Sequence, residues 1–553
     1  MTRLQECSRN RQWSAISSIL LVHVLLLTLH VDNTEAMQEN NGDSLEEAMH
    51  PTLPVPSFME RSGSVNSYED ATHWHKQAKR IIKTKIRQHP IEQKAKNVIF
   101  FLGDGMSIPT VTSARIFKGQ LENLTYGEEA ALSFDQFPFT GVSKTYCSNS
   151  QVGDSACTAT SYLCGSKGNY RTIGVTPDVQ ESDCSAQMDP ANHVTSVLQW
   201  AQEAGLSTGI VTNTRVTHAS PAGAYSHIAH RNWEQDDAVE NSGFDAAYCD
   251  DIAEQLILKS PGRDINVILG GGRSAFLPKE IMDVEDPKRG KRRDGKNLID
   301  TWIVDKLYKN GKYVTNREEL LSVNTTDTDY LMGLFAYDHM DYADKAKAAN
   351  DPTLEEMTRV AVEILRKNPN GFFLFVEGGK IDHAHHATNA KRALHETLEF
   401  EKAVKIGREM TDIDDTLIVV TSDHSHVMTM SGYAERGHSV LGLGGISNVD
   451  GLPYTTISYA NGPGYRQAGK NGKRKNIRGD NMEAINYRQI TTVPMVFETH
   501  GGDDVLIFSS GPFAHLLTGV LDQSYIPHAI GYAACIGQGE KFCDDYAHLT
   551  GAR

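Results

Sequence analysis

The stretch from Phe372 to His386 reads FFLFVEGGKIDHAHH. Its first five residues, Phe372 to Val376, are apolar, aromatic and bounded by glycine, which predicts a short buried strand. Glu377 and a Gly-Gly turn follow, and then Asp382, His383, His385 and His386 come in quick succession. The reading puts these donors on a loop at the carboxyl end of the strand, where open α/β sheets bind their ligands. Oxygen and nitrogen donors so close together suit zinc and magnesium better than a hydrophobic core. A histidine-rich solvated turn is the plainer alternative, but the pattern recurs. Thr416 to Thr421 (TLIVVT) runs into Ser422, Asp423, His424, Ser425 and His426, and Asn97 to Leu102 (NVIFFL) runs into Gly103, Asp104 and Gly105. Three apolar strands ending in acidic or acid-plus-histidine clusters point to a site for several metal ions.

Outward from these strands, further apolar runs at 208–212, 265–269 and 504–508 alternate with helical patterns at 155–163, 192–204, 245–258, 353–367 and 389–410. Such alternation predicts an α/β fold: a large, mainly parallel central sheet with helices on both faces. The catalytic domain is expected to cover 71–431, opening with a basic helical arm from Trp74 to Arg87, and to resume over 498–550. Between them, 432–497 is rich in Gly, Pro, Asn and Tyr with short β-like pieces, and reads as an inserted subdomain. Its Gly442-Leu-Gly444-Gly445 run lacks the strand-to-helix setting of a dinucleotide fingerprint.

Residues 1–36 carry Arg3, Arg9 and Arg11 ahead of an apolar core and read as a secretory signal peptide, with an uncleaved signal anchor as runner-up. Residues 37–70 are polar and expected to be flexible. No hydrophobic C-terminal tail of the GPI type is present in the sequence, so soluble secretion is the expectation, with attachment to the outer membrane face only through an uncleaved N-terminus. The sequons at Asn123 and Asn324 fit extracellular glycosylation. The net charge of -16 argues against nucleic acid as a partner. The basic run Lys288, Arg289, Lys291, Arg292 and Arg293 is read as a solvated loop. Setting aside Cys7 in the leader, seven cysteines remain, and an odd number leaves one unpaired. Cys164, in an apolar helical stretch, is expected to be the buried free one.

A metal site needs a reacting group, and Ser155 is the best candidate. Asp154 can cap a helix that begins there, so that Ser155 lies in the first turn, with N–H groups and the helix dipole facing an incoming anion. The G-x-S-x-G elbow of serine hydrolases is rejected, because the fifth position is Cys157.

Taken together, LGDGM (102–106), DSACTATSYLCG (154–165), RVTHASPAGAYSH (215–227), HRNW (230–233), FVEGGKIDHAHH (375–386), TSDHSHV (421–427) and ETHGGDDV (498–505) resemble, in order, the motifs of the eukaryotic alkaline phosphatases. The resemblance implies a homodimer with two zinc ions and one magnesium per subunit, hydrolysing small phosphate monoesters through a phosphoserine. It makes Ser155 the nucleophile and Arg231 the phosphate clamp. It assigns Asp382, His386 and His500 to one zinc, Asp423, His424 and Asp104 to the second, and Asp104, Ser220 and Glu377 to magnesium. His218, His383 and His426 would support these ligands without being among them. A calcium site in vertebrate members would use Glu285, Phe335 and Asp351 here, but its further Glu is Ala336, which weakens that expectation. The family's usual disulfides would be Cys184–Cys249 and Cys535–Cys543. Cys147 and Cys157 lack counterparts in the vertebrate pattern; they flank the serine, from where they can pair with each other. A sulfatase is excluded by the lack of Cys-x-Pro-x-Arg. A phosphodiesterase of the same superfamily and a catalytically inactive surface binding protein remain the alternatives.

Overall fold

The computed structural model describes residues 69–544 apart from Asn471. The expected leader at 1–36, most of the 37–70 segment and residues 545–553 lie outside the described residues. Ten strands form one sheet: β1 (Asn97–Gly103), β2 (Phe139–Lys144), β3 (Ser207–Arg215), β4 (Val267–Gly271), β5 (Gly311–Val314), β6 (Tyr330–Leu334), β7 (Phe372–Gly378), β8 (Thr416–Thr421), β9 (Val505–Ser510) and β10 (Gly519–Asp522). Their spatial order is β10-β2-β9-β8-β1-β7-β3-β4-β6-β5. Only the two pairings of β9 are antiparallel; every other pairing is parallel, as the strand–helix alternation predicts.

Two hydrophobic cores cover the two faces, and alternate residues of each central strand enter one or the other. Val98, Phe100, Leu102, Phe373 and Phe375 join one core, while Ile99, Phe101, Leu374 and Val376 join the opposite one. This is why the central strands read as unbroken apolar runs: both faces are packed. Register then aligns their carboxyl ends. Leu102 lies level with Glu377 on one side and with Thr421 on the other, so the chain leaves β1, β7 and β8 at the same edge of the sheet.

Four helices matter for the site: α1 (Ala71–Ile86), α2 (Ser155–Cys164), α3 (Lys380–His386) and α4 (Ala390–Glu409). The existence of α3 corrects one expectation. The donors after Gly379 are not on a loop but on two turns of helix, started where the Asn213 side chain accepts from the N–H groups of Gly379 (2.8 Å) and Lys380 (3.2 Å). A second correction concerns the basic run. Arg292 is fully buried rather than solvated, and its guanidinium reaches Asp251 at 2.9 Å and Asp294 at 2.6 Å. A buried charge persists only when it is paired in this way. The expected insertion at 432–497 carries a hairpin (Leu443–Ile446 with Pro453–Thr455) and two strands (Ile457–Gly462, Thr491–Pro494) of a three-stranded sheet, whose third strand, Met428–Met430, precedes the expected boundary.

Glu396 on α4 offers a test of burial. It accepts from the Ala343 N–H at 2.7 Å, and burial pushes its carboxyl up to about 7. A carboxyl raised on folding binds a proton that the unfolded chain has released, so stability is lost as pH rises through about 7. In calorimetry between pH 5 and pH 8, Glu396→Gln is expected to show a smaller fall in Tm than the parent. An unchanged pH slope would refute the assignment.

Candidate metal centre and active site

Asp104 lies one residue beyond β1, Glu377 is the penultimate residue of β7, and Asp423 and His424 lie just past β8. Ser220 sits in a short helical turn, Ala219–Ala222, after β3. Asp382 and His386 are four residues apart on α3, a spacing that puts both on one face of a helix. His500 arrives from far along the chain through a two-residue bridge, His500–Gly501, paired antiparallel with Ser425–His426.

Two trios have the spacing that a tetrahedral ion requires. His386 Nε2 and His500 Nε2 each lie 3.4 Å from Asp382 Oδ1, and 3.2 Å from each other. His424 Nε2 lies 3.1 Å from Asp423 Oδ2 and 3.5 Å from Asp104 Oδ1. Ligands about 2.0–2.1 Å from a tetrahedral zinc are about 3.3 Å apart, so both trios fit. A third group joins Asp104 and Glu377, with His218 and Ser220 nearby. Thr212 donates to Glu377 Oε2, and Thr214 does so at 3.1 Å. Yet both oxygens of Asp104, Oε1 of Glu377, Oδ2 of Asp423 and Oγ of Ser220 are buried without a hydrogen-bond partner. Buried, unpaired carboxylate oxygens are costly unless cations meet them. Burial first, then the neighbouring Asp423, Asp382 and Glu377, pushes the Asp104 carboxyl far above its ordinary range. The donor set therefore fits divalent metal ions.

The remaining histidines divide by what they touch. His426 is held between Asp382 Oδ1 (2.8 Å) and Glu498 Oε2 (2.6 Å). Burial lowers its affinity for a proton, but the two carboxylates outweigh this and raise it to about 10. It therefore orients Asp382. His385 is spent on Tyr459 (2.8 Å) and Thr110 (3.0 Å) inside the core. His383 is half-buried, edge-on to His339 with ring centroids 4.3 Å apart, and 5.9 Å from the ring of His218. His386 Nδ1 meets the Glu498 carbonyl at 2.5 Å, and His500 Nδ1 meets the Gly153 carbonyl at 2.9 Å; such contacts fix which nitrogen is left to face an ion.

Ser155 opens α2, capped by Asp154, whose side chain accepts from the Cys157 N–H at 3.3 Å. The Ser155 hydroxyl lies 3.3 Å from His424 Nε2, the donor shared by the second trio. Arg231 donates through Nη1 to Asp154 Oδ2 (2.8 Å), and its Nη2 lies 3.2 Å from His218 Nε2. Burial, with Arg231 next, holds His218 well below the ordinary imidazole range, so it meets Arg231 as a neutral acceptor. The sequence reading missed Thr212, Thr214, Asn213, Glu498 and His339. Only the Thr-Asn-Thr run immediately after an apolar strand gave a signal for the first three.

Of the calcium candidates, Glu285 lies near enough to Asp351 to be among the charges that, behind burial, push the Asp351 carboxyl up to about 6. Glu285 is paired with Arg273 at 3.0 Å, Asp351 accepts from the Asp341 N–H at 2.9 Å, and Ala336 offers no side-chain oxygen. Phe335 is buried. Added calcium is expected to leave the Tm of the zinc- and magnesium-loaded protein unchanged in differential scanning fluorimetry; a rise of several degrees would restore the site. The cysteines pair as Cys147–Cys157, Cys184–Cys249 and Cys535–Cys543, and Cys164 is free and buried. Asn123 and Asn324 are both exposed.

The alkaline phosphatase family model matches residues 95–536. The membrane-bound alkaline phosphatase of Bombyx mori is 45% identical over 505 residues, covering 90% of this chain and 91% of its own. The tissue-nonspecific isozyme of Homo sapiens is 48% identical over 482 residues, covering 86% and 90%. The chain belongs to the alkaline phosphatase family. As an alkaline phosphatase it is a metal-dependent hydrolase of phosphate monoesters. Its fold is shared with the alkaline phosphatase of Thermus thermophilus (TM-score 0.58, 22% identity, 85% of this chain and 98% of that one). The enzyme of the Antarctic bacterium TAB5 has a TM-score of 0.55 at 21% identity, covering 81% and 100%. Among the described residues of this alkaline phosphatase, no helix is long and apolar enough to cross a membrane.

Proposed function

We propose that this alkaline phosphatase works through a phosphoserine at Ser155, with two zinc ions and one magnesium per subunit. The observation that carries the reading is the set of buried, unpartnered oxygens on Asp104, Glu377, Asp423 and Ser220 beside a helix-first serine. Asp382, His386 and His500 would hold one zinc, and Asp104, Asp423 and His424 the other. Asp104, Ser220 and Glu377 would hold magnesium, since an all-oxygen set suits a hard cation. When bound, the ions supply positive charge for phosphoryl oxygens and lower the pKa of hydroxyl groups near them.

The chain's own residues then do the rest. Ser155 Oγ attacks phosphorus, forming an Oγ–P bond as the ester P–O bond breaks and the alcohol leaves. Water subsequently cleaves the Oγ–P bond and releases inorganic phosphate. The N–H groups at the start of α2 and the fork of Arg231 hold the anion in line for both attacks. Asp154 keeps the fork in place from one side, and His218 from the other. Arg231→Lys tests the clamp, because a single ammonium cannot reproduce two parallel donors. It is expected to raise both KM and the inhibition constant of inorganic phosphate by roughly tenfold, the worth of one charge-assisted hydrogen bond. Unchanged values would remove Arg231 from phosphate binding.

A homodimer is supported by α1, which has no buried residue and exposes Trp74, Ile81, Ile82 and Ile86. Apolar side chains along a helix are normally covered, and a second copy is the partner we infer. Glycosylation at Asn123 and Asn324 and export from the cell complete the reading.

A further inference from the structure

We infer that the Cys147–Cys157 disulfide is a positioning element of the active site rather than a general staple. The inference rests on the reading of Ser155 and Arg231 given above. The bridge joins residues ten apart, and the ring it closes contains Gly153, Asp154 and Ser155. Each of those three residues is a contact point for the site. The Gly153 carbonyl meets His500 Nδ1 at 2.9 Å and so orients one member of the first metal trio. Asp154 accepts from Arg231 Nη1 at 2.8 Å and from the Arg171 N–H at 3.1 Å. Ser155 is the nucleophile. Metal ligand, clamp and nucleophile therefore take their positions from one short covalent ring.

The ring is anchored at both ends. Cys157 is in the first turn of α2 and fully buried, while Cys147 follows β2 and is 2% exposed. Between them the segment leaves regular structure, so backbone geometry alone does not fix it. Its other ties run to residues 168–171: the Ser148 N–H and Oγ donate to the Gly168 carbonyl at 3.0 and 2.8 Å, Oγ also reaches Asn169 Oδ1 at 2.6 Å, the Asn149 side chain accepts from the Tyr170 N–H at 2.8 Å, and Asp154 accepts from the Arg171 N–H at 3.1 Å. Gly153 itself sits so close to its surroundings that a Cβ would come within 2.5 Å of the Thr145 carbonyl. A segment this tightly seated transmits small shifts directly to what hangs on it. Without the bridge, the two ends of the segment are held relative to each other only by the chain and by the hydrogen bonds to 168–171, with no covalent tie between them. The freedom so gained reaches Asp154 through its cap to the Cys157 N–H, which at 3.3 Å is the longest of its side-chain contacts and gives first, and Arg231, held to Asp154 at 2.8 Å, moves with it.

The test measures the inhibition constant of inorganic phosphate, which does not depend on how much of a preparation is active. In the metal-loaded enzyme, a Cys147→Ala, Cys157→Ala double variant is expected to raise that constant several-fold, together with KM. Cys535→Ala, Cys543→Ala, which opens a bridge outside that ring, is expected to lower Tm and leave the constant unchanged. Should the double variant fail to accumulate, Cys147→Ser alone opens the same bridge and carries the same expectation. Arg231→Lys is measured alongside. If it raises the constant while the bridge variants do not, the positioning role is overturned and the clamp stands. If Arg231→Lys itself has no effect, the clamp reading fails first. A loss of kcat alone in the bridge variants, with the constant unchanged, would make the disulfide an ordinary staple.

Discussion

Replacing Ser155 with alanine is expected to reduce turnover of a chromogenic phosphate monoester by roughly ten-thousandfold or more, the scale seen when a covalent nucleophile is removed. The argument is one of availability. The other aliphatic hydroxyls on α2 are already committed to the backbone: Thr158 donates to the Asp154 carbonyl at 2.8 Å, Thr160 to Ala156 at 3.3 Å and Ser161 to Cys157 at 3.2 Å, while burial, with Asp423 and Glu377 next, holds the Tyr162 phenol far above its ordinary range and so protonated. Ser155 lies beside the second trio, with His424 Nε2 as its neighbour. It supplies no ligand that the two trios need, so zinc content measured by mass spectrometry is expected to stay at the parent's level. Near-normal hydrolysis by the variant would remove Ser155 from the chemistry. Loss of zinc together with activity would instead make the serine a structural ligand.

How legible the molecule was in its sequence depended on burial. The central strands β1, β7 and β8 are packed on both faces, so their apolar runs stood out and their ends located the donors. Strands β2, β5, β6 and β10 went unread. β10 is four residues long with its first two exposed, and β2 and β5 are half-covered, so their composition resembles that of loops; β6 is buried over its last four residues, but it is only five residues long and Gly333 interrupts its apolar run. The donor tract after β7 was read in content but not in shape. Because Lys380 to His386 is helical, Asp382 and His386 share a face, while His385 turns into the core toward Tyr459. Helical periodicity, not histidine density, selects which imidazole faces the ions. Nor does any local signal announce that His500 comes to lie beside His386; a two-residue antiparallel bridge across more than seventy residues of chain does that. Arg292 shows the opposite failure. A basic run normally marks a solvated face, and the Asp251 cap of a helix, at 2.9 Å, together with Asp294, at 2.6 Å, brings one of its members inside.

Removal of the metal ions is expected to silence the enzyme and loosen its core at once. Asp104, Glu377, Asp382 and Asp423 are all buried at the carboxyl edge of the sheet, and the cations that approach them are Arg231 and the protonated His426, 2.8 Å from Asp382. Without divalent ions, negative charge and unpartnered oxygens face one another in a medium that screens them poorly. Each ion bound only by the folded form adds about 4 kcal/mol at a thousandfold excess over its Kd, so losing three should lower the Tm of a chain this size by roughly ten degrees. Dialysis against a chelator, followed by activity assays at pH 7 to 10 and scanning calorimetry, measures both effects. Zinc is expected to restore turnover in large part, and zinc with magnesium completely. Magnesium alone should leave the enzyme silent, because the two nitrogen-containing trios suit zinc and the oxygen set of Glu377, Ser220 and Asp104 suits the harder ion. Activity that survives exhaustive chelation would refute the metal mechanism outright. Full recovery with magnesium alone would reassign the trios.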